Sequence, residues 1–467
     1  MASSHGCRRI ILSDQPHEEN QITLMANNFQ QTEITIIGGG FTGLTAAYEL
    51  VKSGIKVTVL ESEPEIGGLA AAFDVGGEKL DRFYHHWFTN DLEVMTLIGE
   101  LGLQNKVEIN PTNTGVYYAN NFFKLSTPWD LLNFTPLAFL DRIRLGLLAL
   151  RARRVKNWKN LEAKTAHEWL KSLGGENVYR VVWQPLLKGK FGPYAEDVSA
   201  VWFWNKLKLR GGSRGKGGEE RLAYFKGGFV ALAEALAQRI RDLGGIIAVN
   251  TPVSSVTKEG GDWIVKTTDG TISSKRIIFT TALPIISEMI KSWAPSEYLD
   301  SLNRIQYIGN VCLVLELDRP LSETYWLNVN DPSFPFVGVI EHTNFERPET
   351  YGGRHIVYLS KYLPHTDRLY SMTADEFLDY AIPFIQKMFP RFDRTWIQKH
   401  HLWRARWSQP VVEKYYSTLI PDEDGPAEGL HICTMAQIYP EDRGTNYAIR
   451  EGRRIGRKIS RSPSVVN

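Results

Sequence analysis

Residues 38–43 read Gly38-Gly39-Gly40-Phe41-Thr42-Gly43, and no other stretch of the 467-residue chain limits its fold so strongly. The β-branched run Ile34-Thr35-Ile36-Ile37 stops at these glycines and a helical pattern follows over residues 42–53, so the spacing predicts strand, tight turn and helix. In the G-x-G-x-x-G spacing Gly38 permits the turn, Gly40 lets backbone approach a pyrophosphate, and Gly43 lets the helix pack closely on the strand. The helix start, with Phe41 and Thr42 at its first positions, then offers N–H donors and a favourable dipole to phosphate oxygens. Gly54 stands where a helix-ending glycine belongs, and residues 56–61 read as a second, parallel strand that completes a βαβ unit. Glu61 ends that strand eighteen positions after Gly43, where a carboxylate accepts the ribose hydroxyls of an adenosine.

The length suits two intimately connected domains rather than one core. Apolar residues at 43% and charged residues at 23% are those of a globular enzyme, and a net charge of +2 carries no nucleic-acid footprint. Cys7, Cys312 and Cys433 lie far apart, which argues against a disulfide framework and a zinc cluster, so no metal is expected and the compartment is reducing. Residues 1–31 read as a disordered leader, with Met25 an alternative start. No run approaches the ~20 apolar residues that span a bilayer. The expected location is cytoplasmic, with attachment to a membrane surface left open.

Helical patterns cover residues 128–154, 164–173, 232–243, 374–389 and 446–459, and a basic, glycine-rich break covers 211–218. Strand patterns cover 253–257, 263–267, 276–280 and 429–435, and period-two segments at 308–317, 336–341 and 355–360 suggest an antiparallel sheet with one covered face, which helix 374–389 separates from the segment 396–407. A nucleotide fold at both ends with another architecture between them implies an α/β fold whose first domain is discontinuous. We place it at 32–110, 222–290 and 425–462, and a mixed α+β substrate domain at 111–221 and 291–424.

Gly67-Gly68 follows Glu61 by six residues, in the run Leu60-Glu61 through Glu65-Ile66-Gly67-Gly68. Here the sequence resembles the amine oxidase and protoporphyrinogen oxidase superfamily of FAD enzymes, related to carotenoid desaturases and UDP-galactopyranose mutase. Further matches are Lys226-Gly227-Gly228-Phe229, Asn250-Thr251-Pro252-Val253, Arg406-Trp407-Ser408-Gln409-Pro410 and Gly444-Thr445-Asn446-Tyr447-Ala448-Ile449. The resemblance implies a Rossmann-type FAD-binding domain. Its cofactor contacts would be Gly38, Gly40, Phe41, Thr42, Gly43, Glu61, Ser62, Gly67, Gly68, Leu69, Val253, Gly444, Thr445 and Asn446. Two departures stand out: Leu69 replaces an arginine that the family places after the glycine pair, and Ala436-Gln437 replaces a Gly-Asp, with Glu441 or Asp442 as substitutes.

The resemblance further implies hydride transfer from a C–N or C–C bond of an organic substrate to flavin N5. The alternatives are a non-redox isomerase acting on a nucleotide sugar and a flavin-binding protein without catalysis. In Phe83-Tyr84-His85-His86-Trp87-Phe88 the two histidines of an extended chain face opposite ways, so one at most reaches the active site as acid or base. Lys188 and Lys190 are lysine candidates near the flavin, with surface placement the commoner reading, and cations from Arg210 to Arg221 suit an acidic substrate or plain solvation. The apolar, arginine-interleaved stretch 131–150 suits a membrane interface, but burial against the substrate domain is the favoured reading. The partner expected is a small molecule.

Overall fold

The computed structural model describes residues 31–124, 128–212 and 221–461. The leader and most of the glycine-rich break lie outside the described residues; Gln31 already opens the first strand, Gln31–Ile37. Four parallel strands run in the order Ile246–Ala248, Val57–Leu60, Gln31–Ile37 and Gly270–Phe279, and Leu430–Ile432 joins the far side of the last one. Strand Gly270–Phe279 is long enough to serve two ladders. Its first half pairs antiparallel with Asp262–Thr267, which in turn pairs with Val253–Glu259. Strand Ile246–Ala248 is absent from the sequence reading because its three residues, each only partly buried, carry no period to detect. The closing strand is shorter than expected, since Thr434 opens a capping box over Met435–Gln437 and turns the chain.

A second, seven-stranded sheet follows the order Ile397–Pro410, Tyr307–Leu317, His355–Leu363, Gly338–Glu341, Trp326–Val329, Thr114–Tyr118 and Asn121–Lys124. It is antiparallel except where Trp326–Val329 runs parallel to Thr114–Tyr118. The expectation of one covered face is corrected here: every residue of Tyr307–Leu317 is buried. Alternation sorts them, with Cys312 and Val314 joining the core shared with the parallel sheet, and Val311, Leu313 and Leu315 packing in the cluster that includes helix Ala374–Met388.

Two other expectations also change. Helix Ala200–Gly212 runs through Arg210, so the glycine-rich break starts later than its composition suggests. Helix Phe139–Arg154 buries only Asp141, Leu145, Leu148 and Ala152, while Phe139, Leu140, Ile143, Leu147 and Leu150 stay exposed. The expected burial therefore holds for one face only: the helix has two apolar faces, and one helix face is all that a single packing partner covers.

Candidate active site

Gly38 donates its N–H to Leu60 O at 2.8 Å and adopts φ +115°, which glycine alone takes without strain. A Cβ at Gly43 would sit 2.0 Å from Gly38 O, so glycine is what lets the first helical turn close on the loop. Gly40 caps helix Phe41–Val51 without any side-chain cap, and a Cβ there would meet nothing within 4 Å. The first-turn N–H groups are thus left for a ligand, on an open face. Gly67 donates to Gly39 O at 2.9 Å and bridges Gly40, while a Cβ at Gly68 would lie 3.4 Å from Gly40 Cα. Two glycine segments far apart in sequence therefore form one backbone floor. Leu69 lies in the short turn Gly68–Ala70 beside it.

Glu61 is 8% exposed and held rigidly. Its Oε2 accepts the Gly39 N–H at 2.8 Å, and its Oε1 accepts the Ser62 hydroxyl at 3.2 Å and the Glu63 N–H at 3.0 Å. Thr251 N–H donates to Glu61 O at 2.8 Å and Asn250 N–H to Glu63 O at 3.0 Å, which brings the turn before Val253 alongside the same carboxylate.

The C-terminal helix Thr445–Arg461 runs parallel to Phe41–Val51, so both helices start at the same end of the molecule. A Cβ at Gly452 would meet Thr42 O at 2.5 Å, and one at Gly456 would meet Ala46 O at 2.9 Å. Arg453, 5% exposed, locks the pair through Glu49 at 3.3 Å and Glu100 at 2.6 Å. This register places Thr445 about 9 Å beyond the start of the first helix, at 1.5 Å per residue. A ligand longer than a pyrophosphate thus meets a second helix start. The side chain of Asn446 is engaged elsewhere, since its Oδ1 accepts the N–H groups of Glu93 at 2.9 Å and Val94 at 3.2 Å and so caps helix Leu92–Glu100.

A cavity of about 310 Å³ is walled by Tyr84, Phe88, Trp183, Trp202, Trp326 and Tyr362. His86, Lys190 and Lys206 also line it. His85 and His86 diverge as their alternation requires. His86 Nδ1 lies 3.1 Å from Tyr325 Oη, with its ring edge-on to Trp326. His85 instead stacks on Phe229, with Nδ1 4.0 Å from Asp81, and burial together with the Arg443 charge pushes its pKa down to about 4. Lys188 is exposed, whereas Lys190 on the same helix, Gln184–Phe191, faces the cavity and lies 5.0 Å from the Tyr362 ring centroid.

The cavity's charge is organised around Asp442. Lys206 Nζ lies 2.5 Å from its Oδ2 and Lys190 Nζ 3.9 Å, and Gln409 donates to Oδ1 at 3.0 Å. Burial alone would raise Asp442, but Lys206, Lys190 and Arg443 hold it well below the carboxylate range. Burial lowers Lys190, helped by Lys206 and Arg443. Tyr362 is also lowered, because the charges of Lys190 and Arg443 outweigh its burial. Arg443 Nη2 donates to Tyr362 Oη at 3.3 Å, and Tyr84 donates to Ser360 Oγ at 3.1 Å. Of the two acidic substitutes, Glu441 pairs with Arg450 at 3.1 Å and Asp442 with the cavity lysines. Tyr84, Tyr362, Lys206 and Arg443 escaped the sequence reading, since nothing in their spacing joins them.

The donor set fits a flavin dinucleotide. The floor excludes any Cβ at Gly43, and His85 Nδ1, Arg443 Nε and Thr281 Oγ1 are buried polar atoms without a hydrogen-bond partner among the described residues. The chain matches the family of flavin containing amine oxidoreductases over residues 41–455. It belongs to that family. FAD is the cofactor, and the first glycine loop with Glu61 suits its adenosine diphosphate half. Amine oxidase A of Sus scrofa is 26% identical over 309 residues, covering 60% of this chain and 55% of its own. Amine oxidase B of Bos taurus is 24% identical over 328 residues, covering 64% and 59%. The chain spans about half to two thirds of the length of the curated relatives it matches. Among solved structures, a protein assigned as a protoporphyrinogen oxidase from Exiguobacterium sp. 255-15 superposes with a TM-score of 0.73 at 16% identity, over 92% of this chain and 98% of that one. Cyclohexylamine oxidase from Brevibacterium oxydans IH-35A gives 0.66 at 16% identity, over 92% and 98%. At such identity the likeness is one of fold.

Proposed function

We propose that this chain is an FAD-dependent oxidoreductase that oxidises a C–N or C–C bond of a small organic molecule held in the aromatic cavity. The observation that carries the reading is the loop Asp442–Gly444. On one side it touches the cavity through Asp442 to Lys190 and Arg443 to Tyr362; on the other it opens the helix Thr445–Arg461, which starts at the same end of the molecule as Phe41–Val51. When bound, FAD supplies the two-electron acceptor at N5. Gly38, Gly40, Phe41, Thr42 and Gly43 hold its phosphates with Gly67 and Gly68, Glu61 grips the adenosine sugar, and the starts at Gly444 and Thr445 stabilise negative charge at the ring. Lys190, its pKa lowered by burial, takes or returns a proton at Nζ, with the Tyr362 ring beside it and His86 as the second acid-base group. The aromatic walls exclude water from that exchange.

The lining also speaks to the substrate. Among the described residues it contains two lysines and no carboxylate, and Asp442 behind it is already paired. Such a site receives a neutral or anionic molecule with flat apolar surface and disfavours a free alkylammonium ion. The relatives named above are oxidases, which favours redox use of the flavin over sugar isomerisation.

Anaerobic mixing with amines, nucleotide sugars and isoprenoids, followed by flavin bleaching, tests the reading. Bleaching by a neutral or acidic compound is expected. Lys190→Met and His86→Ala should each slow that bleaching, by about a hundredfold where the group moves the proton, with FAD content unchanged. Full rates in both variants would remove the pair from the mechanism.

A further inference from the structure

The helices Pro128–Leu132 and Phe139–Arg154 carry the densest exposed apolar surface among the described residues. Of the twelve large apolar side chains exposed among the described residues, seven fall between Trp129 and Leu150, with Trp129 at 74% and Leu140 at 66%. On the longer helix, at about 100° per residue, the exposed Phe139, Leu140, Ile143, Leu147 and Leu150 share an arc of about 100°, opposite the buried arc. The short helix extends the same surface, because Leu131 packs at Gly146, where a Cβ would lie 3.3 Å from its Cδ2. Soluble surfaces rarely keep so continuous an apolar patch without something to cover it.

The charges around the patch say what covers it. Between Trp129 and Lys159 the sequence has seven Lys or Arg against two Asp, a local excess of five positive charges in a chain whose net charge is +2. Arg142 turns inward and donates to Leu137 O at 2.8 Å and to Leu132 O, stapling the turn between the helices. Arg144 and Arg151 border the apolar arc on one side, Arg153 borders it on the other, and Arg154 closes its end, all of them exposed. Aliphatic and aromatic residues at the centre with arginines at both edges match acyl chains beneath anionic headgroups. A second copy of this chain is a poorer cover, since a twofold contact would set one arginine border against the other. The helix is also too short to cross: 16 residues reach about 24 Å against a hydrocarbon core of about 30 Å. Among the described residues no helix is long and apolar enough to span a membrane.

We propose that this face docks, in plane, into the interface of an anionic lipid bilayer. Trp183 packs against the small core beneath these helices and also lines the substrate cavity. The docked face therefore lies one layer of side chains from the cavity wall.

The test uses the full FAD-loaded chain and sedimentation with vesicles of neutral phosphatidylcholine, with and without one third phosphatidylserine. Binding to the anionic vesicles, weakened by salt and weak on neutral ones, is expected. Arg151→Gln and Arg153→Gln should each weaken partition about fivefold, and the triple variant Leu140→Asp, Leu147→Asp, Leu150→Asp should abolish it. These side chains are exposed, so flavin content and melting temperature should stay at wild-type values, which separates lost docking from lost folding. Absence of sedimentation with anionic vesicles overturns the proposal, as does a concentration-dependent dimer that the triple variant dissolves while vesicle binding persists.

Discussion

Around the first glycine loop the decisive contacts are backbone to backbone: Gly38 to Leu60, Gly67 to Gly39, and Gly43 against Gly38 O. In the cavity they are side chain to side chain, from Tyr84, Lys190, Lys206, Tyr362 and Asp442 on five separate segments. The first region is built on shape that only glycine permits, so a substitution there acts by geometry. The second works through charges whose strength depends on burial, so a substitution there acts by electrostatics and leaves the fold standing.

The largest effect expected is at the loop. Gly43→Val puts carbon where Gly38 O already sits, so the variant should lose FAD altogether and melt well below the wild type, read by flavin content and thermal unfolding. Next, Glu61→Ala should weaken FAD binding by about 1 to 3 kcal/mol, the scale of lost hydrogen bonds to a charged group, measured by titrating apoprotein with FAD. Retention of normal affinity would detach this carboxylate from the cofactor.

The buried Asp81 sharpens the electrostatic half of the comparison. It accepts Tyr224 Oη–H at 2.9 Å and Phe229 N–H at 3.0 Å, and its own carbonyl accepts Tyr358 Oη–H at 2.7 Å. Burial lifts its pKa from 3.8 to about 7, against those two donors to the carboxylate. A folded value above the unfolded one favours the folded state fully below about pH 4, and that contribution is lost as pH rises through 7. Asp81→Asn should therefore remove a slope of up to about 1.4 kcal/mol per pH unit from stability in this window, seen in denaturant titrations at successive pH. The smallest effect falls to Asn446→Ala, which removes the cap of helix Leu92–Glu100 at a cost of about 1 kcal/mol and leaves FAD affinity unchanged. A large loss of FAD would restore this side chain to the cofactor site.

The same contrast explains what the sequence could reveal. Gly38 to Gly43, Glu61 and Gly67-Gly68 were legible because backbone requirements leave glycine at fixed intervals, and helix Thr445–Arg461 because its apolar period survives its many arginines. The divergence of His85 and His86 was legible from alternation alone. The meeting of Tyr362 with Arg443, or of Lys206 with Asp442, was not, since each pair depends on how distant elements pack. Nor could periodicity tell the exposed apolar face of Phe139–Arg154 from its buried one, because both are apolar and only the tertiary structure decides which finds a partner.

The most direct test is to purify the full chain without added cofactor, denature it, and quantify the flavin released per chain. The account expects close to one FAD, with Gly43→Val giving none. A colourless wild-type protein that folds cooperatively yet takes up no FAD on reconstitution would contradict it.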